Sequence, residues 1–248
     1  MPENTSFKTK CGSCPLRKMK TFRPLDEKEL GFVSKFKTGE LTVDAGATIL
    51  LEGNKTPHLY TILEGWAFRH KSLANGQRQV LNFGLPGDLV GLQLAILDDI
   101  QHTVTALTKT TLCVFQRDKI WSVFKENPSL AYAMTWMASR EEQMVDAHLL
   151  SLGQRNALAR LSYLILYLHD RAEAVGYATN HSFNAPFTQA HFSDALGITP
   201  VHTSRTIKKL HEKNLINWKK DQIQILNREK LEKLAYYDQD IKLQRPLI

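Results

Sequence analysis

The sequence predicts an α+β protein built, in order, from an antiparallel β-roll, one long helix and a C-terminal winged helix-turn-helix. Three observations carry this. Short β-rich runs punctuated by glycine fill residues 36–115, a methionine-bearing heptad pattern follows Asn127-Pro128, and a helix–glycine–helix signature lies between Phe187 and Leu226.

In the first region Gly46, Gly53, Gly65, Gly76, Gly84, Gly87 and Gly91 recur between runs such as TVDAGATILLEG and HTVTALTKTTLCVF. Asn75-Gly76 between two such runs is a hairpin-turn signal. Repeated short strands of this kind predict an antiparallel roll. These strands alternate apolar residues with Thr, Lys or Gln, and they assemble no convergent acid, base or nucleophile of the kind catalysis needs. The nine histidines show no H-x3-H or H-E-x2-H spacing. The chain therefore reads as a non-enzyme.

From Pro128 to about Leu152 the pattern is helical. Met134, Met137, Glu141, Met144 and His148 recur in steps of three and four, which makes a narrow seam on one helix. Ala133, Val145, Leu149 and Leu152 widen the apolar face. The seam suits either packing on the chain's own β-roll or pairing with a second copy across a two-fold axis, and the second is the preferred expectation. Glu141 would then face its own copy, and two carboxylates brought together out of water are costly. Gly153 breaks the pattern. A second helix from about Asn156 to Ala172 is apolar on nearly all faces and is expected to be internal. EAVGYATNHSFNAP, residues 173–186, reads as a polar loop.

The last region is the most informative. Thr188 caps a short helix ending at Leu196, and Gly197 supplies a left-handed turn. Thr199-Pro200 then provides the cap and first-turn proline of a second helix. Helix, glycine turn, helix is the DNA-binding helix-turn-helix pattern. On the second helix Thr203, Ile207 and Leu210 share one face, with Val201, Ser204, Arg205 and Lys208 opposite. Arg near a helix N-terminus can bind guanine bidentately in the major groove of double-stranded DNA. Thr188, Gln189, His202 and Lys209 complete the expected contact set. A two-stranded wing, LINW-KKD-QIQIL, places Lys219 and Lys220 for phosphates. Residues 200–220 contain six Lys or Arg against Glu212 alone, a local net charge of +5 within a chain of +7. That is the electrostatic footprint of a polyanion site.

The 248 residues are 43% hydrophobic and 23% charged, and no apolar run approaches the roughly 18 residues that cross a bilayer. The polar N-terminus MPENTSFKTK lacks a signal-peptide core, so a cytoplasmic location is expected. Residues 8–37 carry nine Lys or Arg and read as a solvated face. The three cysteines, Cys11, Cys14 and Cys113, are too few for a disulfide framework. The expected organisation is a cysteine-bearing arm (1–24), a β-roll (25–127), a dimerisation helix (128–152) and a DNA-binding domain (153–248).

With these parts in this order, the chain resembles the Crp/Fnr family of bacterial transcription regulators from about Leu25 to Leu234. The most specific pieces are the roll turn LPGDLVG at 85–91 and the Ser204-Arg205 pair. The resemblance implies a cyclic-nucleotide-binding-like roll and a homodimer on a palindromic operator. It also implies contact with RNA polymerase. The family's nucleotide-binding branch carries Gly-Glu and then Arg-Ser. Here Gly91 is followed by Leu92 and Gln93, and His102-Thr103 replaces Arg-Ser, which argues against cyclic nucleotide because the phosphate loses its arginine. The iron–sulfur branch fits better. Cys11 and Cys14 match two of its N-terminal ligands and Cys113 its distant one, while Lys20 stands where the remaining cysteine belongs. Three readings stay open: an iron–sulfur cluster on three thiolates, a thiol/disulfide sensor in which Arg17, Lys18 and Lys20 favour the reactive thiolate, or remnants with Cys113 a core hydrophobe. Val201 and His202 replace the start of the family's usual recognition pattern, which implies an altered half-site.

Overall fold

The computed structural model describes residues 8–238 and 244–248. The first seven residues of the expected arm lie outside the described residues. Among the described residues, β1 (Lys37–Val43), β2 (Thr48–Leu50), β3 (His58–Glu64), β4 (Ala67–Ser72), β5 (Arg78–Gly84), β6 (Leu89–Val90), β7 (Thr103–Ala106) and β8 (Thr110–Gln116) form two four-stranded sheets ordered β1-β8-β3-β6 and β2-β7-β4-β5. This is the expected antiparallel roll. Asn75-Gly76 sits at the tip between β4 (Ala67–Ser72) and β5 (Arg78–Gly84), with Gly76 at φ 83°.

The central strands β3 (His58–Glu64) and β8 sort their side chains by the two-residue period of a strand. Tyr60, Ile62 and Leu112 enter a core inside the roll with Leu50, Leu94, Ile100 and Val104. Leu59 and Phe115 face the other way. They meet Val33 and Phe36 of α1 (Glu27–Phe36), Ile120 and Val123 of α3 (Ile120–Glu126), and Leu130, Ala133, Met134 and Met137 of α4 (Pro128–Gln154). The Phe36 and Phe115 rings lie 5.1 Å apart. Helix α1 starts where Asp26 accepts from Glu29 N at 2.7 Å and Glu29 accepts from Asp26 N at 3.0 Å, a reciprocal cap.

Three expectations change here. Met134, Met137 and Met144 are buried within the chain itself, at 2%, 9% and 8% exposure, so they are not open to a second copy. Glu141 instead pairs with Arg69 at 3.0 Å, and His148 Nδ1 lies 3.2 Å from the Leu81 carbonyl. The outward seam of α4 is displaced by one residue, to Thr135, Ala138, Glu142, Val145 and Leu149, all exposed. One residue turns a helix by about 100°, so both seams satisfy the same spacing, and the bulkier apolar set goes to the chain's own core. Second, α4 runs through Gly153 to Gln154. Third, the basic arm is not simply solvated: Leu16 and Phe22 are 3% exposed, and so is Lys37. Lys37 is tied to Glu40 at 2.7 Å and to the Thr9 carbonyl at 2.8 Å.

The chain divides into two compact units. Met1–Arg69, Gly84–Glu141 and Leu243–Ile248 form one; His70–Phe83 and Glu142–Lys242 form the other. The division cuts α4 at residue 141, assigns the β4–β5 tip to the second unit, and returns the last residues to the first, unlike the boundaries read from the sequence.

In the second unit α5 (Ala157–Ala174) is capped by Asn156 and buries nine side chains, as its all-round apolarity requires. The presumed loop 173–186 holds two strands, β9 (Ala178–Thr179) and β10 (Ser182–Asn184). They join β11 (Ile216–Lys219) and β12 (Gln222–Ile225) in a sheet ordered β11-β12-β10-β9, so the wing has four strands, not two. Their short length hid them from periodicity. Helices α6 (Gln189–Leu196), α7 (Pro200–Glu212) and α8 (Arg228–Ala235) complete the unit.

Asp170 of α5 ties α5 to α8 and the residues beyond it. It accepts from Arg228 at 2.7 and 2.9 Å and from the Tyr237 hydroxyl at 2.9 Å, and His169 Nδ1 lies 3.3 Å away. Burial alone would raise its pKa, but hydrogen bonds with His169, Arg228 and Tyr237 hold it well below the usual carboxylate range. Because the folded-state pKa is depressed, this stabilisation is present above the unfolded value and lost as pH falls through about 4 and below. Asp170→Asn is expected to cost about 2 kcal/mol. A denaturant titration should show the lower midpoint at pH 7, with the gap from the parent protein narrowing in acid.

Candidate functional site: a recognition helix and a thiol cavity

The helix-turn-helix has the geometry of its sequence. Thr188 Oγ1 accepts from His191 N at 3.3 Å, capping α6, and Gly197 turns left-handed at φ 63°. Thr199 caps α7 by accepting from His202 N at 3.2 Å. The two helices are locked by a buried hydrogen bond of 2.9 Å between the Ser193 and Thr203 hydroxyls. Thr203, Thr206, Ile207 and Leu210 are buried, which rolls the opposite face outward. Val201, His202, Ser204, Arg205, Lys208 and Lys209 are all exposed, as are Thr188 and Gln189 at the start of α6 and Lys219 and Lys220 on the wing. Among these residues the ion pair found is Lys208 with Glu212, at 3.8 Å and open to solvent, which contributes little. Trp218 anchors the wing: its ring packs 4.8 Å from Phe192, its backbone N–H donates to His211 Nε2 at 3.2 Å, and its indole donates to the Lys220 carbonyl at 3.1 Å. The outcome is an exposed, positively charged face with short polar side chains near a helix N-terminus, the composition that contact with phosphates and base edges requires.

The three cysteines converge although 99 residues separate Cys14 from Cys113. Cys11 and Cys14 lie on two consecutive 3-10 turns, Cys11–Ser13 and Pro15–Lys18, that fold over the outer face of β8. Cys113 is an odd-numbered residue of β8, like Phe115, so the strand period aims it away from the roll interior and toward the arm. All three line one cavity with Arg17, Lys37, Thr61 and Ile248. All three are free thiols. Burial pushes the Cys113 thiol up to about 11 despite the Lys37 ammonium nearby. Arg17 Nε and Nη1 are buried with no hydrogen-bond partner; burial lowers its pKa while the three cysteines raise it. A buried guanidinium facing three sulfurs is a place for negative charge. Lys20, at the position of the missing cysteine, is exposed and does not line the cavity.

A second donor cluster, His169, Asp170 and Glu173, has ligand atoms within 4.8 Å of one another among the described residues. The Arg228 guanidinium already occupies Asp170 there, so the cluster is a structural ion-pair network. At the positions where a nucleotide phosphate would sit, His102 is 5% exposed and Thr103 Oγ1 accepts from Glu52 N at 3.2 Å. Gln93 is exposed on α2 (Leu92–Leu97).

Sequence reasoning names Arg17 only as one of three cations near Cys11 and Cys14, and it misses Lys37 and residues 244–248. Lys37 is submerged in the basic count of the arm, and no periodic signal marks the last residues.

Two family models match the chain: a cyclic nucleotide-binding domain over residues 40–127 and a Crp-like helix-turn-helix domain over 159–234. The chain is 28% identical over 225 residues to the nitrogen fixation regulation protein FixK of Bradyrhizobium diazoefficiens, covering 91% of this chain and 93% of that protein. It is 25% identical over 210 residues to the transcriptional activator protein FnrL of Cereibacter sphaeroides, 84% of each. The fold matches FixK2 from Bradyrhizobium japonicum with a TM-score of 0.72 at 24% identity, over 81% of this chain and 98% of that one.

With its pKa near 11, Cys113 is expected to alkylate slowly at neutral pH. Its rate should climb about tenfold per pH unit from pH 8 to 10. Peptide mapping of iodoacetamide-treated native protein checks this, and a rate that levels off near pH 8.5 would contradict the burial of the thiol.

Proposed function

The chain belongs to the Crp/Fnr family of DNA-binding transcription regulators, and we propose that it acts as a homodimeric activator whose β-roll responds to the redox state of the Cys11, Cys14 and Cys113 site. It is a regulator rather than an enzyme. The observation that carries the DNA-reading part is the exposed Ser204, Arg205 and Lys208 face of α7 above a fully buried Thr203 and Leu210. Arg205 anchors a guanine, and Val201 offers only a methyl contact where a carboxylate would accept from cytosine, so the half-site differs at that position. The activator role named for FnrL supports contact with RNA polymerase.

Pairing uses the outer seam of α4. Ala138, Val145 and Leu149 supply apolar contact, and Glu142, one residue beyond the Glu141 expected from sequence, meets its own copy. Two carboxylates at a two-fold axis keep association weak.

The donor set fits an iron–sulfur cluster on three protein thiolates. The sulfurs share one cavity, and the orphaned Arg17 N–H groups together with Lys37 offset the negative charge such a group brings. When bound, a cluster supplies oxidation-sensitive chemistry. Arg17 would donate to a sulfur of such a group, Lys37 holds the arm to β1 through Thr9 and Glu40, and the buried Leu16 would keep water from it. A fourth ligand would have to come from outside the cysteine set, since the Lys20 ammonium has no lone pair. We take the signal to be other than a cyclic nucleotide, a reading supported by the engagement of Thr103 with Glu52 N and by His102 where an arginine would hold the phosphate.

Arg205→Ala should weaken operator binding about tenfold to a hundredfold and relax selectivity at one base pair. Fluorescence anisotropy across salt concentrations reads this, and unchanged selectivity would remove Arg205 from its role. Glu142→Leu should tighten the dimer about tenfold in sedimentation equilibrium. Protein purified without oxygen should carry iron and absorb in the visible. An iron-free, colourless product rules the cluster out and leaves a cofactor-free thiol sensor.

A further inference from the structure

Residues 244–248, QRPLI, run back along the N-terminal arm of the first unit, and four of the five make specific contacts there. Gln244 Nε2 donates to the Lys20 carbonyl at 3.1 Å. Arg245 N donates to the Thr21 carbonyl, and the Arg245 carbonyl accepts from Arg23 N, each at 2.8 Å. These two bonds make a parallel bridge beside Phe22. The Arg245 guanidinium pairs with Asp88 at 2.6 Å and lies 5.2 Å from the Phe22 ring centroid. Leu247 and Ile248 are 3% and 5% exposed, and Thr61 Oγ1 donates to the Ile248 carbonyl at 2.6 Å inside the domain.

The groove that receives them is specific. Asp88 belongs to the Leu85-Pro-Gly-Asp turn, where its other oxygen accepts from Leu85 N at 2.8 Å. Gly87, at φ 88°, has no room for a Cβ: that atom would stand 2.3 Å from Phe22 Cζ and 3.6 Å from Leu247 Cδ1. The roll turn is thus shaped to hold both the arm and the returning segment. Arg23, which bonds the segment through its backbone, is fixed by Glu29 at 2.7 Å.

Leu247 and Ile248 also form a wall of the cavity lined by Cys11, Cys14 and Cys113. The segment follows α8 in the chain, so it is the direct covalent continuation of the DNA-reading half.

We infer that the groove between the arm and the roll turn is a peptide-binding site whose ligand is the chain's own residues 244–248, and that seating of this segment closes the thiol cavity. Chemistry that enlarges the thiol cavity and seating of the segment then oppose one another, each weakening the other by the same factor. This requires only the three thiols and holds whether or not iron is found. Pro246 stiffens the segment ahead of its two buried side chains, lowering the entropy lost on seating.

The test is the rate at which Cys14, 9% exposed, reacts with a small maleimide in the full-length protein, compared with a chain ending at residue 243. The shortened chain should react at least tenfold faster. The peptide QRPLI supplied in trans should restore protection, and a scrambled peptide should not. Arg245→Ala and Asp88→Asn, which loosen the seat without removing it, should each give intermediate rates with unchanged circular dichroism, and they stand alone if the shortened chain does not fold. Equal rates in all variants would overturn the inference. Protection that falls on dilution of the full-length protein would assign the seat to a second copy's segment and overturn the intrachain site.

Discussion

The two-residue alternation of β3 and β8 is the constraint on which the rest of the first unit depends. Even-numbered residues, Tyr60, Ile62 and Leu112, fill the inside of the roll. Odd-numbered ones, Leu59, Thr61, Cys113 and Phe115, face outward to α1, α4, the arm and residues 244–248. A slip of one residue would exchange these sets and send the thiol into the roll interior. The position of Cys113 is therefore not separable from the packing of Phe115 on Phe36. The same pleat that builds the domain presents the third sulfur to the other two.

Around that pleat the charged groups are arranged unequally. Lys37 is nearly sealed from solvent yet paired, because Glu40 and the Thr9 carbonyl satisfy it. Burial opposes its charge, but the Glu40 hydrogen bond and the nearby cysteines raise its pKa. Arg17 has the burial without the partner. Leaving two guanidinium N–H groups unsatisfied is costly, and perturbed charges of this kind cluster where a ligand or a charge change is to be met. The recognition unit is the opposite case. Its half-buried Asp170 is surrounded by donors, and Arg205, Lys209, Lys219 and Lys220 lie exposed on α7 and the wing.

Much of this was legible in the residues. The roll, the helix-turn-helix with its caps at Thr188 and Thr199 and the exposed Ser204-Arg205 pair follow from local rules: turn chemistry, capping and period. The kinship of Cys113 with the N-terminal cysteines came only from the family resemblance. Other features were not legible, for identifiable reasons. The α4 seam was misplaced by one residue because a 3.6-residue helix shows the same spacing on adjacent stripes, and only the roll beneath decides which stripe is inner. Strands β9 and β10, two and three residues long, carry too little pattern to register. Lys37 was indistinguishable from the solvated lysines around it, and nothing local separates Arg17, which turns toward the thiols, from the exposed Lys18 and Lys20 beside it.

The sequence alone determined the order of parts and the polarity of the recognition helix, because each depends on residues near one another in the chain. Tertiary structure alone decided what lies between distant residues: that Met134 and Met137 serve their own core, that a guanidinium is left unpartnered beside the thiols, and that residues 244–248 return to Asp88 and Thr61. A side chain's partner across 157 positions, as with Arg245 and Asp88, is fixed by the packing of the whole unit. No local propensity records it.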